Sequence, residues 1–485
     1  MTIFDTDSIV LGTTAPPLPF PRFRLGRKNQ NVHATVWGRT GSGKSKLLQS
    51  VFLQHVGKRH GVGLIEPHHD LSFDCLSSLV ATGFFNDERA FDRLIYLDWG
   101  NGAYVPFNVL AGREDPHTIA LNVLEAMLRV WPELVQAPMF QTLFLSAVVV
   151  LIVNRLPLTY LFRLLSDPDF RTRCLANVDD PVIIDSLAHY ERLGRDRDVL
   201  AGSTLRRAFL LMFSPTIRYS LGQPDNWLDF RRIMDEGKAI IINLGNVADH
   251  DTRRLLGALL MVQIEQAALS RTDLPPPART PFTLLVDEWP AFAAQAGTIG
   301  TILSQTRKFN LRLWLAAQSL SQISSERLAG TLENCRLTVA FGLGRDSAYV
   351  QARHIGSADA MLVKDEAKTE TQHPQFFPVL EQFERWTQEL QNLSPQHCYV
   401  KLHDRSAVRI KTPTVRGSTV PARRLETILA AYRRRYQRTK AEAVVAIAHL
   451  PGRADGLQNG TQNGEAIRFG ERSCNSKAGE ARGDV

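Results

Sequence analysis

Eight residues constrain this chain more than any others. Gly38-Arg39-Thr40-Gly41-Ser42-Gly43-Lys44-Ser45 fits the pattern G-x-x-x-x-G-K-[ST]. Such a loop works in only one setting, between the end of a strand and the start of a helix. The glycines let the backbone fold so tightly that successive N–H groups point into one concavity, which binds phosphate. The positive end of the following helix adds to the attraction. In that setting Lys44 reaches the β- and γ-phosphates of a bound ATP, and the Ser45 hydroxyl holds Mg²⁺. Gly38 to Ser45 as a whole form the nucleotide cradle. The local pattern agrees, because residues 33–37 (HATVW) read as a strand and 46–56 as a helix.

Further short apolar runs have the same character. They are 61–65 (GVGLI), 94–97 (LIYL), 239–244 (AIIINL), 282–286 (FTLLV), 311–316 (LRLWLA) and 337–341 (LTVAF). Continuous apolar runs closed by a polar residue or glycine are how strands buried on both faces of a parallel sheet read. Helical stretches lie between several of them, so the expected class is α/β with a mostly parallel, twisted sheet.

Between 113 and 236 the period changes to three and four, as in Ile119, Val123, Met127 and Val130, and strand signals vanish. This predicts an all-helical domain inserted into the sheet domain, whose two parts are 32–112 and 237–412. Residues 1–31 read as an N-terminal arm with Pro16, Pro17, Pro19 and Pro21 followed by Arg22, Arg24, Arg27 and Lys28. A hairpin is expected from 397–402 paired with 407–410. Residues 413–450 read as a basic helical segment, helical over 427–447. The Gly-, Asn- and charge-rich tail 451–485 reads as disordered.

Composition removes other classes. The five cysteines are scattered and odd in number, with no C-x-x-C pair, which argues against a disulfide framework or a cysteine-rich zinc site and suits a reducing cytoplasm. The longest apolar run, 143–153, is too short to span a bilayer, which takes about 20 residues, and predicts a buried core helix. The N-terminus has no secretory signal pattern. The net charge of +8 is modest for 485 residues and favours a polyanionic partner only slightly.

Asp287 and Glu288 follow the apolar run FTLLV. A strand there delivers two carboxylates to the phosphate edge. Asp287 would hold Mg²⁺, and Glu288 would orient or deprotonate the attacking water. Gln318 ends the next run, where an amide either sits near the γ-phosphate or is an ordinary polar strand end. Arg307 lies between those two strands. There it either points into a neighbouring molecule's site or decorates a solvated helix face. His68-His69-Asp70 lacks further ligands at metal-binding spacing. Ser220-Leu221-Gly222-Gln223 sits too far before Asp287 to act as a nucleotide signature.

The ordered set Gly38 to Ser45, Glu66-Pro67-His68, Pro106-Phe107-Asn108, a helical insert, Val286-Asp287-Glu288-Trp289, Arg307-Lys308-Phe309 and Gln318 resembles the HerA/FtsK superfamily of motors. Within it, the set is most similar to the conjugative coupling ATPases of type IV secretion. The likeness runs from about Val32 to Ser357. Glu66 stands where that family has Asp, and Val109 where it has a second Pro. The resemblance implies a RecA-like P-loop NTPase fold and a hexameric ring with ATP sites at subunit interfaces. It also implies an arginine finger at Arg307, a sensor glutamine at Gln318, and further motif positions at Asn334 and Arg345. Coupling proteins usually carry two N-terminal membrane helices and this sequence shows none. The expected place is therefore the cytoplasm, or the inner membrane's surface through a secretion partner.

Two functions of different class follow. One is an ATP-driven DNA translocase acting in conjugative-type transfer or DNA processing. The other is a nucleotide-switched module that docks a relaxase or a secreted protein onto a channel.

Overall fold

The computed structural model describes residues 7–14, 21–112, 114–192, 213–292, 303, 305–323, 330–331, 333–363, 376–403 and 405–450. The expected disordered tail 451–485 lies outside them.

The strands are β1 (Ile9–Thr14), β2 (Arg22–Leu25), β3 (Ala34–Trp37), β4 (Gly61–Glu66), β5 (Leu94–Asp98), β6 (Ala103–Tyr104), β7 (Ala239–Asn243), β8 (Phe282–Val286), β9 (Leu311–Ala317), β10 (Leu337–Ala340), β11 (His397–Leu402), β12 (Val408–Lys411) and β13 (Arg438–Thr439). Eleven of them form one sheet in the order β2-β1-β12-β11-β10-β3-β9-β8-β4-β7-β5. From β10 to β5 every pairing is parallel, and from β10 to β2 every pairing is antiparallel.

The parallel strands are mostly apolar because both faces are covered. On β9, Leu311, Leu313 and Leu315 enter one core, while Trp314 and Ala316 enter the other. The helices Lys44–Gly57, Asp70–Ala81 and Ala422–Tyr436 cover one face. The opposite face packs against His250–Leu269 and the helices of the inserted region, including Pro116–Val130, Pro138–Val153 and Pro181–Arg192.

Among the described residues of 113–236 there is no strand, only an isolated bridge from Asn226 to Phe107. The apolar helix Pro138–Val153 lies inside this core, and no helix among the described residues is long and apolar enough to cross a membrane. A buried ion pair joins the inserted region to the sheet layer, with the Arg129 guanidinium donating to Glu265 at 3.0 Å and to Glu125 at 2.6 Å. Burial pushes the Glu265 carboxyl up to about 7 despite Arg129.

Two regions differ from the expectation. Residues 9–14 and 22–25 of the arm form strands that the sequence did not reveal. They are β1 and β2, hydrogen-bonded to the outer edge of the sheet through β12. The helix expected over 427–447 is two helices, Ala422–Tyr436 and Lys440–Ala448. The break has a physical cause. Thr439 and Glu442 form a reciprocal capping box that starts the second helix, and Arg438–Thr439 pair with Ala103–Tyr104 instead. The expected hairpin is present as β11 and β12, with Cys398 opposite Ile410 and Val400 opposite Val408.

Candidate nucleotide site

The loop after β3 is fixed from three sides. The Gly38 N–H donates to the Ala317 carbonyl at 3.2 Å, and the Arg39 N–H donates to the Gly342 carbonyl at 3.0 Å. From outside, the Gln396 N–H donates to the Ser42 carbonyl at 2.8 Å. Gly41 has φ +77° and Gly43 φ +111°, where a β-branched residue would be strained. At Gly43 a Cβ would also lie 3.2 Å from the Gln396 backbone. The helix Lys44–Gly57 then starts without a side-chain cap, leaving its first N–H groups directed toward a ligand. At Gly41 an added Cβ meets nothing, so the cradle is open there, and the buried Ser42 hydroxyl oxygen has no hydrogen-bond partner.

Lys44 comes off this loop and is buried between two carboxylates. Its Nζ donates to Asp287 Oδ1 at 2.9 Å and to Glu288 Oε1 at 2.9 Å. Asp287 and Glu288 end β8, which is separated from β3 by β9 alone. Glu288 holds a left-handed backbone (φ +46°, ψ +44°), which costs a non-glycine residue about 1 kcal/mol and turns its side chain toward Lys44. Burial pulls the Lys44 ammonium down, but the attraction of Asp287 and Glu288 and their hydrogen bonds outweigh it and hold Lys44 above its usual range. Among the described residues, no group of His, Cys, Asp and Glu is arranged to hold a metal by itself. The Ser45 hydroxyl, exposed at the first turn, and the Asp287 carboxylate are hard oxygen donors of the kind Mg²⁺ takes, with the remaining positions left to a triphosphate and water.

Gln318, at the end of the intervening strand β9, is tied to the same loop. The Thr40 hydroxyl donates to its Oε1 at 3.2 Å. Arg307 lies elsewhere. It is in the short helix Thr306–Phe309 that precedes β9, at the opposite edge of the sheet. A strand of this length spans about 20 Å, so the fold does not bring Arg307 to its own chain's Lys44.

Two further residues neighbour the site. Glu66, at the end of β4, accepts the N–H groups of Leu71 (2.8 Å) and Ser72 (2.5 Å) and so caps the helix Asp70–Ala81 from inside. Burial raises its carboxyl to about 7 against those hydrogen bonds, and Asp287 repels it further. Gln396 is the second neighbour. Its left-handed φ of +66° and its bonds to Ser42 and Thr412 hold the hairpin against the loop. The Pro395-Gln396 turn signal hints at a bend there, but nothing local reveals what it touches. Asn334 donates to the Gly330 carbonyl at 2.8 Å, and Arg345 pairs with Glu384 at 3.0 Å. The structure joins neither to Lys44.

The sequence matches no protein-family model and no curated protein. The structure does match solved ones. The bacterial conjugative coupling protein TrwB, in its unbound form, aligns with a TM-score of 0.57 at 16% identity, covering 82% of this chain and 89% of that one. The fold is that of the coupling proteins. TrwB in complex with ADP and Mg²⁺ aligns at 0.53 with 15% identity, over 82% of this chain and 90% of that one. VirB4 of Thermoanaerobacter pseudethanolicus aligns at 0.52 with 13% identity, over 86% of this chain and 98% of that one. The coupling-protein fold thus accounts for the RecA-like sheet and most of the chain. At these identities it speaks for the fold, and the chemistry rests on the residues above.

Proposed function

We propose that this chain is an ATP-hydrolysing motor that moves DNA, working as a hexameric ring in conjugative-type transfer or DNA processing. One observation carries the catalytic half of the reading. Lys44 of a phosphate-binding loop sits between Asp287 and Glu288, two strands away in the same sheet. In this state the lysine neutralises the carboxylates. A triphosphate entering the cradle takes Lys44 over for its β- and γ-oxygens and frees Glu288 to orient the attacking water. Ser45 and Asp287 would hold Mg²⁺, which would supply charge neutralisation at those oxygens. Gln318 positions water or reads the state of the γ-phosphate, and Arg307 serves the site of the next subunit, because its own is out of reach. TrwB in complex with ADP and Mg²⁺ supports the choice of ligands.

The proposal keeps residues 113–236 as an inserted helical domain of a motor domain formed by 32–112 and 237–412. We propose a cytoplasmic protein, peripheral at the inner membrane through a secretion component, with a relaxase as a further partner. The deciding experiment measures ATP turnover with and without DNA, alongside particle mass under the same conditions. The expected result is DNA-stimulated turnover by a six-subunit particle. A monomer whose turnover ignores DNA would overturn the motor reading and favour a nucleotide-switched docking role.

A further inference from the structure

At the N-terminal edge of the parallel strands a cleft of about 450 Å³ opens where β4 and β7 begin, just before β5. Arg59, Arg89 and Arg93 line it, with the ring of Phe84. Arg59 follows the helix Lys44–Gly57 in a left-handed turn (φ +57°) and is exposed. Arg93 is anchored, donating to the Val56 carbonyl at 3.3 Å and lying 5.0 Å above the Phe84 ring.

Two carboxylates also line the cleft, and both are neutralised. Asp92 pairs with Arg435 at 3.2 Å, and Glu236 pairs with Arg232 at 2.6 Å and Lys238 at 2.6 Å. Neither Arg59 nor Arg89 pairs with a carboxylate among the described residues. The cleft therefore holds a surplus of guanidinium groups, the donors whose planar fork fits phosphate oxygens. Its volume suits one nucleotide unit and is far too small for a duplex. The Phe84 ring adds an aromatic surface of the kind on which bases stack.

We propose that this cleft binds the phosphate backbone of a single nucleic-acid strand, away from the nucleotide site. The proposal deepens the motor reading and rests on it, since it supplies a grip on DNA that the loop and carboxylates do not. Free phosphate or nucleotide shares this chemistry, so the test separates them.

The probe is a fluorescently labelled oligo-dT bound to the full chain without ATP, followed by anisotropy across a salt titration. Arg93 is left in place because it caps the helix end. Arg59→Ala/Arg89→Ala should weaken binding about tenfold or more at low salt. It should also lower the slope of log K against log salt by about 1.4, or ~0.7 per lost contact. DNA-independent ATP hydrolysis should be unchanged, and Arg59→Lys/Arg89→Lys should recover most of the slope. If wild type binds the oligonucleotide and the alanine pair binds it equally with the same slope, the assignment is wrong. If wild type binds no oligonucleotide, the single-strand assignment is also wrong, while the motor reading stands or falls on DNA-stimulated turnover. Equilibrium dialysis with inorganic phosphate and with ATP, on a Lys44→Ala background, covers the remaining case. Binding of either that needs Arg59 and Arg89, with oligonucleotide affinity unaltered, would make this a small-anion site and overturn the proposal.

Discussion

The two edges of the parallel sheet are built on opposite electrostatic plans. At the C-terminal edge the charges are internally balanced, with Lys44 shared between Asp287 and Glu288 in a buried triad. At the N-terminal edge several cations are paired, as Arg232 and Lys238 are with Glu236, but others have no carboxylate partner among the described residues. Arg307 pairs with no carboxylate among the described residues, and burial with Arg27 nearby lowers Arg312 to about 10. Burial, with Arg307 adding to it, also holds the His33 imidazole down at about 4. A balanced buried triad is closed until a ligand competes for one member, whereas a surplus of cations is complete only when something outside the chain supplies the anion. On the proposed reading one edge holds the chemistry, and the other presents groups to a neighbour or to a nucleic acid.

The largest effect should come from breaking the balanced edge. Lys44→Ala removes the group proposed to meet the phosphates and leaves two carboxylates buried without a counter-charge. Turnover should fall by about 10³-fold or more, with nucleotide binding weakened as well. Glu288→Gln should lose a similar factor in turnover while keeping nucleotide bound, because the neutral amide cannot polarise water. Steady-state hydrolysis and labelled-nucleotide binding separate the two. Turnover near wild type in both variants would remove the assignment.

Arg307→Ala tests the other edge. An arginine that completes a neighbour's site is worth about 10³-fold in turnover, and its loss should leave nucleotide affinity nearly intact. Mixing Arg307→Ala with Lys44→Ala chains should restore part of the activity, because some interfaces then pair an intact Lys44 site with an intact Arg307. Complete absence of rescue in mixed assemblies would place Arg307 on an ordinary solvated surface.

A third effect concerns Glu66. Its carboxyl is raised from about 4.5 to about 7, so the folded chain holds this proton more tightly than the unfolded one. The sign follows from linkage: stability from this group is full below about pH 4.5 and is lost as pH rises through 7. The shift corresponds to about 3 kcal/mol. Urea midpoints should therefore drop between pH 5 and pH 7.5, and Glu66→Gln should flatten that part of the curve. An identical pH profile in the variant would show that the carboxyl titrates normally.

What could be read in advance tracks how each element is buried. The strands β3, β4, β5, β7, β8, β9 and β10 show as largely apolar runs because helices cover both faces, and the loop motif orients them all. Placing Arg307 at the far edge follows from the same logic, since a parallel crossover from the end of β8 must return to the start of β9. The strands β1 and β2 were hidden. They sit at the rim, β2 alternates exposed and buried residues, and Gly12 lies where its Cβ would strike the Lys411 carbonyl at 2.3 Å. The break at residues 437–439 depends on a capping box inside a basic, helix-favouring run. Gln396 was unreadable because its importance is a contact with Ser42, more than three hundred residues earlier in the chain.

The smallest expected effect probes the link between the edges, β9 itself, which has Arg307 before its start and Gln318 after its end. Gln318→Ala should lower turnover about tenfold, or ~1.4 kcal/mol of transition-state stabilisation. KM for ATP should be little changed, because the amide touches the loop through the Thr40 hydroxyl and not through the cradle amides. Thr40→Val removes that tether alone and should cost less than Gln318→Ala. If instead both variants raise KM and spare kcat, Gln318 holds the loop in shape rather than responding to the γ-phosphate. The strand would then carry no signal from the balanced edge to the cationic one.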